Sequence, residues 1–308
     1  MRIDSLSYSN IQTQGAQRRE ALRSLSPQHL EHCSSLILHG LRQRPPGISP
    51  NVLILGAGAC TEIPLLEVTR GSDEVVLADL DLASTQQAAR ELPTSALRKR
   101  LLLLQSDISG GVSTNLQRLL EKQPWDLLVP RGAQVIFDTA VECLEQCLAP
   151  DPPELEGLGA GAFGLVISSL VLTQLFSYPL LDVLDRVQSI APELLGEQER
   201  HRRYQQAASA FRERVIQAHL HLLQNLVEKE GFAILISDVR GFVFNVYGTD
   251  HDSEHRRTMP LVPRALPDFV REHFTVIEED QWEWLTDLPA NGRLGRGYDV
   301  VGYMLTSL

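Results

Sequence analysis

"VLILGAGACTEIPL", residues Val52 to Leu65, runs from four apolar residues into a glycine turn, and Cys60 stands where a third glycine would extend the pattern. A short apolar run that stops at Gly-Ala-Gly reads as a buried strand entering a turn whose backbone can approach a ligand closely. A dinucleotide fingerprint, G-x-G-x-x-G, would need glycine at 61, where the chain has Thr61. A bulky pyrophosphate would meet a side chain there.

Working outward, short β-branched runs alternate with longer amphipathic stretches, the signal of strands and crossover helices in parallel β-α-β units. "NVLILG" (51–56) is the first strand and "TEIPLLEVTR" opens its helix; "EVVLADLD" (74–81) is the second, with "ASTQQAARELP" behind it. "RLLLLQSDIS" (100–109), "FGLVISSLVL" (163–172) and "GFAILISDVRG" (231–241) are the third to fifth strands. The tail changes character: "FTVIEED" and "YDVVGYMLTSL" are two strands with no room between them for a crossover helix, so they should pair antiparallel. The expected fold class is α/β, an open, doubly wound, mostly parallel sheet with a terminal antiparallel strand pair, preceded by N-terminal helices.

Residues 16–43 read as two amphipathic helices broken near Ser26-Pro27, and 197–229 as one long helix. The expected organisation is an N-terminal helical lid over 1–45 and a catalytic domain over 46–308. Helical and loop insertions are expected at about 110–160, 180–230 and 240–270.

The chain has 308 residues, 43% of them hydrophobic, and a formal net charge of -11. Such a field repels phosphate backbones, and the basic clusters "LRKR" and "ERHRR" are short, so nucleic acid is not the expected partner. No run reaches the roughly 18 apolar residues of a membrane span, and the N-terminus lacks a signal-peptide core. The expectation is a cytoplasmic protein with no membrane partner, acting on a small molecule as a monomer or homodimer. Cys33, Cys60, Cys143 and Cys147 lack paired zinc spacing and read as reduced structural thiols. His251, Asp252 and His255 lie in a polar loop without a third strong ligand, so no metal is expected, and these histidines read as solvated.

In sheets of this kind small ligands sit beyond the carboxyl ends of the strands, where strand order reverses. Gly56, Ala57 and Gly58 occupy that place. Asp79, closing the second strand and followed by Leu80, suits a carboxylate that accepts hydrogen bonds from both hydroxyls of a ribose. Asp107, past the third strand, is placed for the exocyclic amine of an adenine, with Ile108 against the ring. Three stations in register on consecutive strands point to an adenosine-containing ligand.

The set "LILGAG", "VVLADLD", "SDIS", "FGLVISSL" and the final antiparallel pair resembles the class I S-adenosylmethionine (SAM)-dependent methyltransferases, over roughly Asn51 to Leu308. The resemblance rests on order and spacing. It implies a Rossmann-like fold with SAM as co-substrate, the glycine turn near the methionine moiety and ribose, Asp79 on ribose and Asp107 on adenine. The chain departs from the family at Cys60, usually glycine, and at Ile54, where an acidic residue often precedes the turn.

Ser168 and Ser169 replace the Asn-Pro-Pro-aromatic signature of nucleobase amine methylation and are read as cofactor contacts. Downstream, Gln174 and Tyr178 are the catalytic candidates: an aromatic face stabilises a sulfonium cation, and a carboxamide can orient an acceptor. Tyr8 is a second candidate lid aromatic. The expected reaction is methyl transfer to a small molecule. The alternative is attack on the γ-carbon of SAM's aminocarboxypropyl group with release of methylthioadenosine, as in azetidine-2-carboxylate synthases; a non-catalytic SAM-binding protein is a third reading.

Overall fold

The computed structural model describes residues 25–192, 202–245, 256–290 and 293–308. Tyr8, His251, Asp252 and His255 lie outside them. The chain divides into two compact units, one formed by 109–155 and 172–222, the other by the segments before, between and after these.

The second unit is built on an eight-stranded sheet of β1 (Val52–Leu55), β2 (Val75–Asp79), β3 (Leu101–Gln105), β4 (Phe163–Ser169), β5 (Val227–Phe244), β6 (Arg256–Pro260), β7 (Phe274–Asp287) and β8 (Gly295–Ser307). The order is β3-β2-β1-β4-β5-β8-β7, with β6 beside the far end of β5. Strands β1 to β5 pair in parallel, whereas β8 runs antiparallel to both β5 and β7. This is the mostly parallel sheet with an antiparallel terminal pair that the sequence pattern anticipates.

The central strands are apolar on both faces because both faces are covered. Val52, Ile54, Val75, Leu77, Leu165 and Ile167 pack against α1 (Pro27–Gln43), α2 (Leu65–Arg70) and α3 (Leu82–Glu91), which contribute Cys33, Leu36, Ile37, Leu65, Val68 and Ala88. The alternate residues Leu53, Leu55, Val76 and Val166 point the other way and are buried too. Each such side chain contributes about 1.5–3 kcal/mol.

Helix α1 starts at Pro27 and is fastened along β7 by polar contacts; residues 16–24, expected to form a helix before it, lie outside the described residues. Ser26 Oγ donates to the Leu285 carbonyl (2.5 Å) and accepts from the Leu285 N–H (3.1 Å). Trp282 Nε1 donates to His29 Nδ1 at 2.8 Å, and His29 stacks on Trp284. His32 pairs with Asp280 (2.6 Å) and His39 with Glu278 (2.5 Å).

Three local expectations need correction. The helix after the glycine turn does not open at Thr61: Thr61 to Ile63 form a bend, and the six-residue α2 begins at Leu65, directly after Pro64. The fixed φ of proline suits a helix start, while the residue before it is pushed out of the α region. The long helix ends at Leu226 and β5 begins at Val227, before the expected Gly231. Within the stretch taken as a loop insertion, β5 continues to Phe244 and β6 pairs antiparallel with it from Arg240–Pro260 to Phe244–Arg256.

The helical unit holds α5 (Val112–Glu121), α6 (Trp125–Leu128), α7 (Ala133–Gln146), α8 (Leu172–Ile190) and most of α9 (Arg202–Leu226), with α4 (Ser95–Arg98) and α10 (Leu266–His273) belonging to the sheet unit. Its interior includes Leu116, Phe137, Phe176, Val183 and Phe211. The four cysteines are free and buried, and burial pushes the Cys143 and Cys147 thiols up to about 11, which keeps them protonated. No helix among the described residues is long and apolar enough to cross a membrane.

Candidate functional site

Strand order reverses between β1 and β4, and it is beyond the carboxyl ends of the strands at such a point that open sheets of this kind form their binding crevice. Gly56 follows β1 at φ +62° and Gly58 at φ +46°, backbone that suits residues without a Cβ. At Gly56 the need for glycine comes from within the protein: a Cβ there would lie 2.5 Å from Val171 Cγ2, in the segment after β4. The turn is closed by the Gly56 N–H on the Ala78 carbonyl (2.9 Å) and the Cys60 N–H on the Ala57 carbonyl (2.8 Å).

Asp79 ends β2 with 7% of its surface exposed. Its Oδ2 accepts the Gly58 N–H at 2.7 Å and its Oδ1 accepts the Asp81 N–H at 2.7 Å. Desolvation raises its pKa, and the backbone amides only partly oppose the rise. The carboxylate therefore holds the glycine turn in place, and each oxygen retains room for a second donor. Asp81, read from sequence as the end of the strand, instead caps α3, accepting from the Ala83 and Ser84 amides.

Leu80, beside Asp79, is 53% exposed, an apolar surface at the crevice rim. The Ser106 N–H donates to the Asp79 carbonyl (2.9 Å) and Gln105 Nε2 to the Leu80 carbonyl (3.2 Å). These bonds bring half-buried Asp107 and buried Ile108 beside the end of β2. On the other flank Ser168 is fully buried and in register with Leu55, the residue before Gly56. Ser169 Oγ is buried with no hydrogen-bond partner among the described residues. All nine residues expected to contact a cofactor thus belong to one unit and one edge of its sheet. Gln174 and Tyr178 lie on α8 in the helical unit, where burial raises the Tyr178 pKa.

Two features were not legible in the sequence. Among the described residues only Cys60 (φ +52°) and Leu170 (φ +56°) are non-glycine residues at positive φ, and they follow β1 and β4 respectively. Backbone strain of this kind costs of order 1–3 kcal/mol per residue and gathers where function requires it. At Cys60 the sequence carried half of the signal: the glycine pattern of the turn led up to this position, and its backbone is left-handed. At Leu170 nothing in the sequence marks the conformation. The helix after the turn begins only at Leu65, seven residues past Gly58.

The residues present suit a nucleoside: a buried carboxylate for a diol, an apolar rim, a turn built of glycines and one unsatisfied hydroxyl. They offer no ready phosphate cradle, because a full-length helix N-terminus is missing from the turn.

No protein-family model matches the chain, and no curated protein matches it. Among solved structures, a glycopeptide N-methyltransferase complexed with sinefungin is 13% identical, covering 90% of this chain and 94% of its own at a TM-score of 0.41. A putative RNA methyltransferase from Pyrococcus horikoshii is 10% identical, with 90% and 85% covered and a TM-score of 0.40. A SAM-dependent methyltransferase from Aquifex aeolicus is 11% identical, with 94% and 98% covered and a TM-score of 0.38. At such distances the likeness assigns no activity, ligand or substrate to the chain.

Proposed function

We propose that the crevice binds SAM and that the protein is a transferase moving its methyl group to a small molecule. The observation that carries this reading is Asp79, a buried carboxylate at the end of β2 tied to the Gly58 amide, since a ribose diol is the group whose paired hydroxyls it suits. Asp107 and Ile108, anchored beside it through Ser106, would take adenine, and Leu80 would cover the ring. Ser169 Oγ would find its missing partner in the ligand. Bound SAM supplies a methyl carbon activated by a positive sulfonium. What remains for the chain is to orient the acceptor in line and exclude water, which requires little acid-base machinery.

The net charge of -11 supports a small-molecule acceptor over a nucleic acid. Gln174 and Tyr178 keep the roles suggested by sequence as a separate proposal. With these roles Tyr178→Ala should weaken SAM binding about tenfold and Gln174→Ala should lower kcat about tenfold or more; no change in either quantity removes both residues from the site.

The deciding experiment is incubation of the purified protein with SAM, with and without a panel of small amines, acids and alcohols, followed by mass spectrometry of the nucleosides. S-adenosylhomocysteine formed only with an acceptor supports methyl transfer. Methylthioadenosine formed from SAM alone moves the chemistry to the γ-carbon, and saturable binding without turnover leaves a SAM-binding protein.

A further inference from the structure

On one edge of β5 the neighbouring strands β4 and β6 leave a break between them. Strand β4 accompanies β5 as far as Ser169, opposite Ile236, and the Leu170 N–H donates to the Ile236 carbonyl at 2.8 Å. Strand β6 joins that edge only at Pro260, opposite Arg240, with the Leu261 N–H on the Val239 carbonyl at 3.0 Å. On the other edge β8 accompanies β5 from Ala233 to Phe244, and the register of this pair shifts between Asp238 and Arg240. Bulges of this kind are common beside active sites, where they re-aim a side chain.

Asp238 stands at the break. It is half-buried, and strand alternation puts it on the face of Ile234 and Ile236, opposite Val300, where those three form part of one apolar core. Ser169, in register with Ile236, belongs to the same face, and its buried Oγ has no hydrogen-bond partner among the described residues. Strand spacing and the rise of two residues set the Cα atoms of Ser169 and Asp238 about 8 Å apart, a span that one small polar group can bridge. The break lies just past the carboxyl end of β4, where strand order reverses. A carboxylate at the margin of an apolar core is suited to a cationic or proton-donating group.

We propose that the Asp238 carboxylate receives the methyl acceptor and that this acceptor is an amine, an inference that rests on the methyl transfer proposed above. A neutral amine attacks the SAM methyl carbon; the N–C bond forms as the C–S bond breaks, and the electron pair of the broken bond stays on sulfur. The nitrogen gains a positive charge, which the carboxylate beside it stabilises before taking up the surplus proton. An alcohol would first have to give up its proton, and a carboxylate acceptor would be repelled by Asp238. The net charge of -11 also draws protonated amines toward the protein.

The test incubates the full chain with SAM and, separately, benzylamine, tyramine, spermidine, benzyl alcohol and benzoate, and reads methylated products by mass spectrometry. Wild type should methylate amines and leave benzyl alcohol and benzoate untouched. For the amine turned over fastest, Asp238→Asn should lower kcat/KM about tenfold or more with the affinity for S-adenosylhomocysteine unchanged in calorimetry, and Asp238→Glu should restore part of the loss. Equal turnover in Asp238→Asn, an equal loss of S-adenosylhomocysteine affinity in it, or no methylated amine from wild type overturns the proposal. The selectivity of wild type for amines is read without any variant, so the test stands even where Asp238→Asn fails to fold. Failure of wild type to bind S-adenosylhomocysteine overturns the cofactor reading and this inference with it; binding without amine methylation overturns this inference alone.

Discussion

The seam between α1 and β7 and the crevice at the ends of β1, β2 and β4 belong to the same sheet, yet they treat polar atoms in opposite ways. In the seam, Ser26, His29, His32 and His39 each find a partner on β7, and the Trp284 indole N–H is the exception. In the crevice, Ser169 Oγ has no hydrogen-bond partner among the described residues, two non-glycine residues hold left-handed backbone, and a carboxylate is buried at a cost that its amide partners do not fully offset. Satisfied polar groups fix a structure; unsatisfied ones at a strand switch point mark a surface completed by something else.

The largest expected effect lies in the seam and its counterpart in the helical unit. Burial lowers His29 to about 4, and His219 likewise to about 4, from an ordinary 6.5. A histidine whose pKa is depressed by folding stabilises the protein above the unfolded value, and that stability is lost as pH falls from 6.5 toward 4. With about 1.4 kcal/mol per pH unit, each contributes up to about 3 kcal/mol over that window. Denaturant unfolding at several pH values should show the loss, and His29→Gln, which keeps an acceptor for Trp282, should remove about half of the slope. An unchanged slope would mean that the seam is not where acid acts.

Next is Asp79→Ala, expected to weaken SAM binding by about 1.5–3 kcal/mol in calorimetry, the range for charge-assisted hydrogen bonds. Because Asp79 takes up its proton at higher pH than an exposed aspartate, wild-type SAM affinity should also decline as the solution is acidified toward that raised pKa. Unaltered affinity in the alanine variant would leave Asp79 as a clamp on the glycine turn and nothing more. The smallest effect is Ser169→Ala: thermal unfolding of the free protein should stay level or rise by up to about 1 kcal/mol, because no hydrogen bond is broken. A clear loss of stability would place Ser169 with the satisfied groups of the seam and dissolve the contrast.

The parts of this architecture legible in the sequence were those written in local pattern. Four- to seven-residue apolar runs located β1 to β4, and the glycines, Asp79 and Asp107 announced the crevice because each sits at a strand end, where chain direction and residue type coincide. β6 was hidden: "RRTMP" is polar and basic and has no strand periodicity, and it is a strand because the extension of β5 offers it an edge. The late start of α2 was available in Pro64 but outweighed by the amphipathic look of the segment.

The sequence by itself determined the strand series, its helix-separated order and the residue types gathered at the switch point, since hydrophobic periodicity and turn chemistry act over a few residues. Only the tertiary structure decided that Val171 is what forbids a side chain at Gly56, that Asp79 spends one oxygen on the Gly58 amide, and that Arg203 pairs with Asp138. Those outcomes depend on which distant groups share a space and a solvent boundary, and burial and pairing are properties of the packed chain.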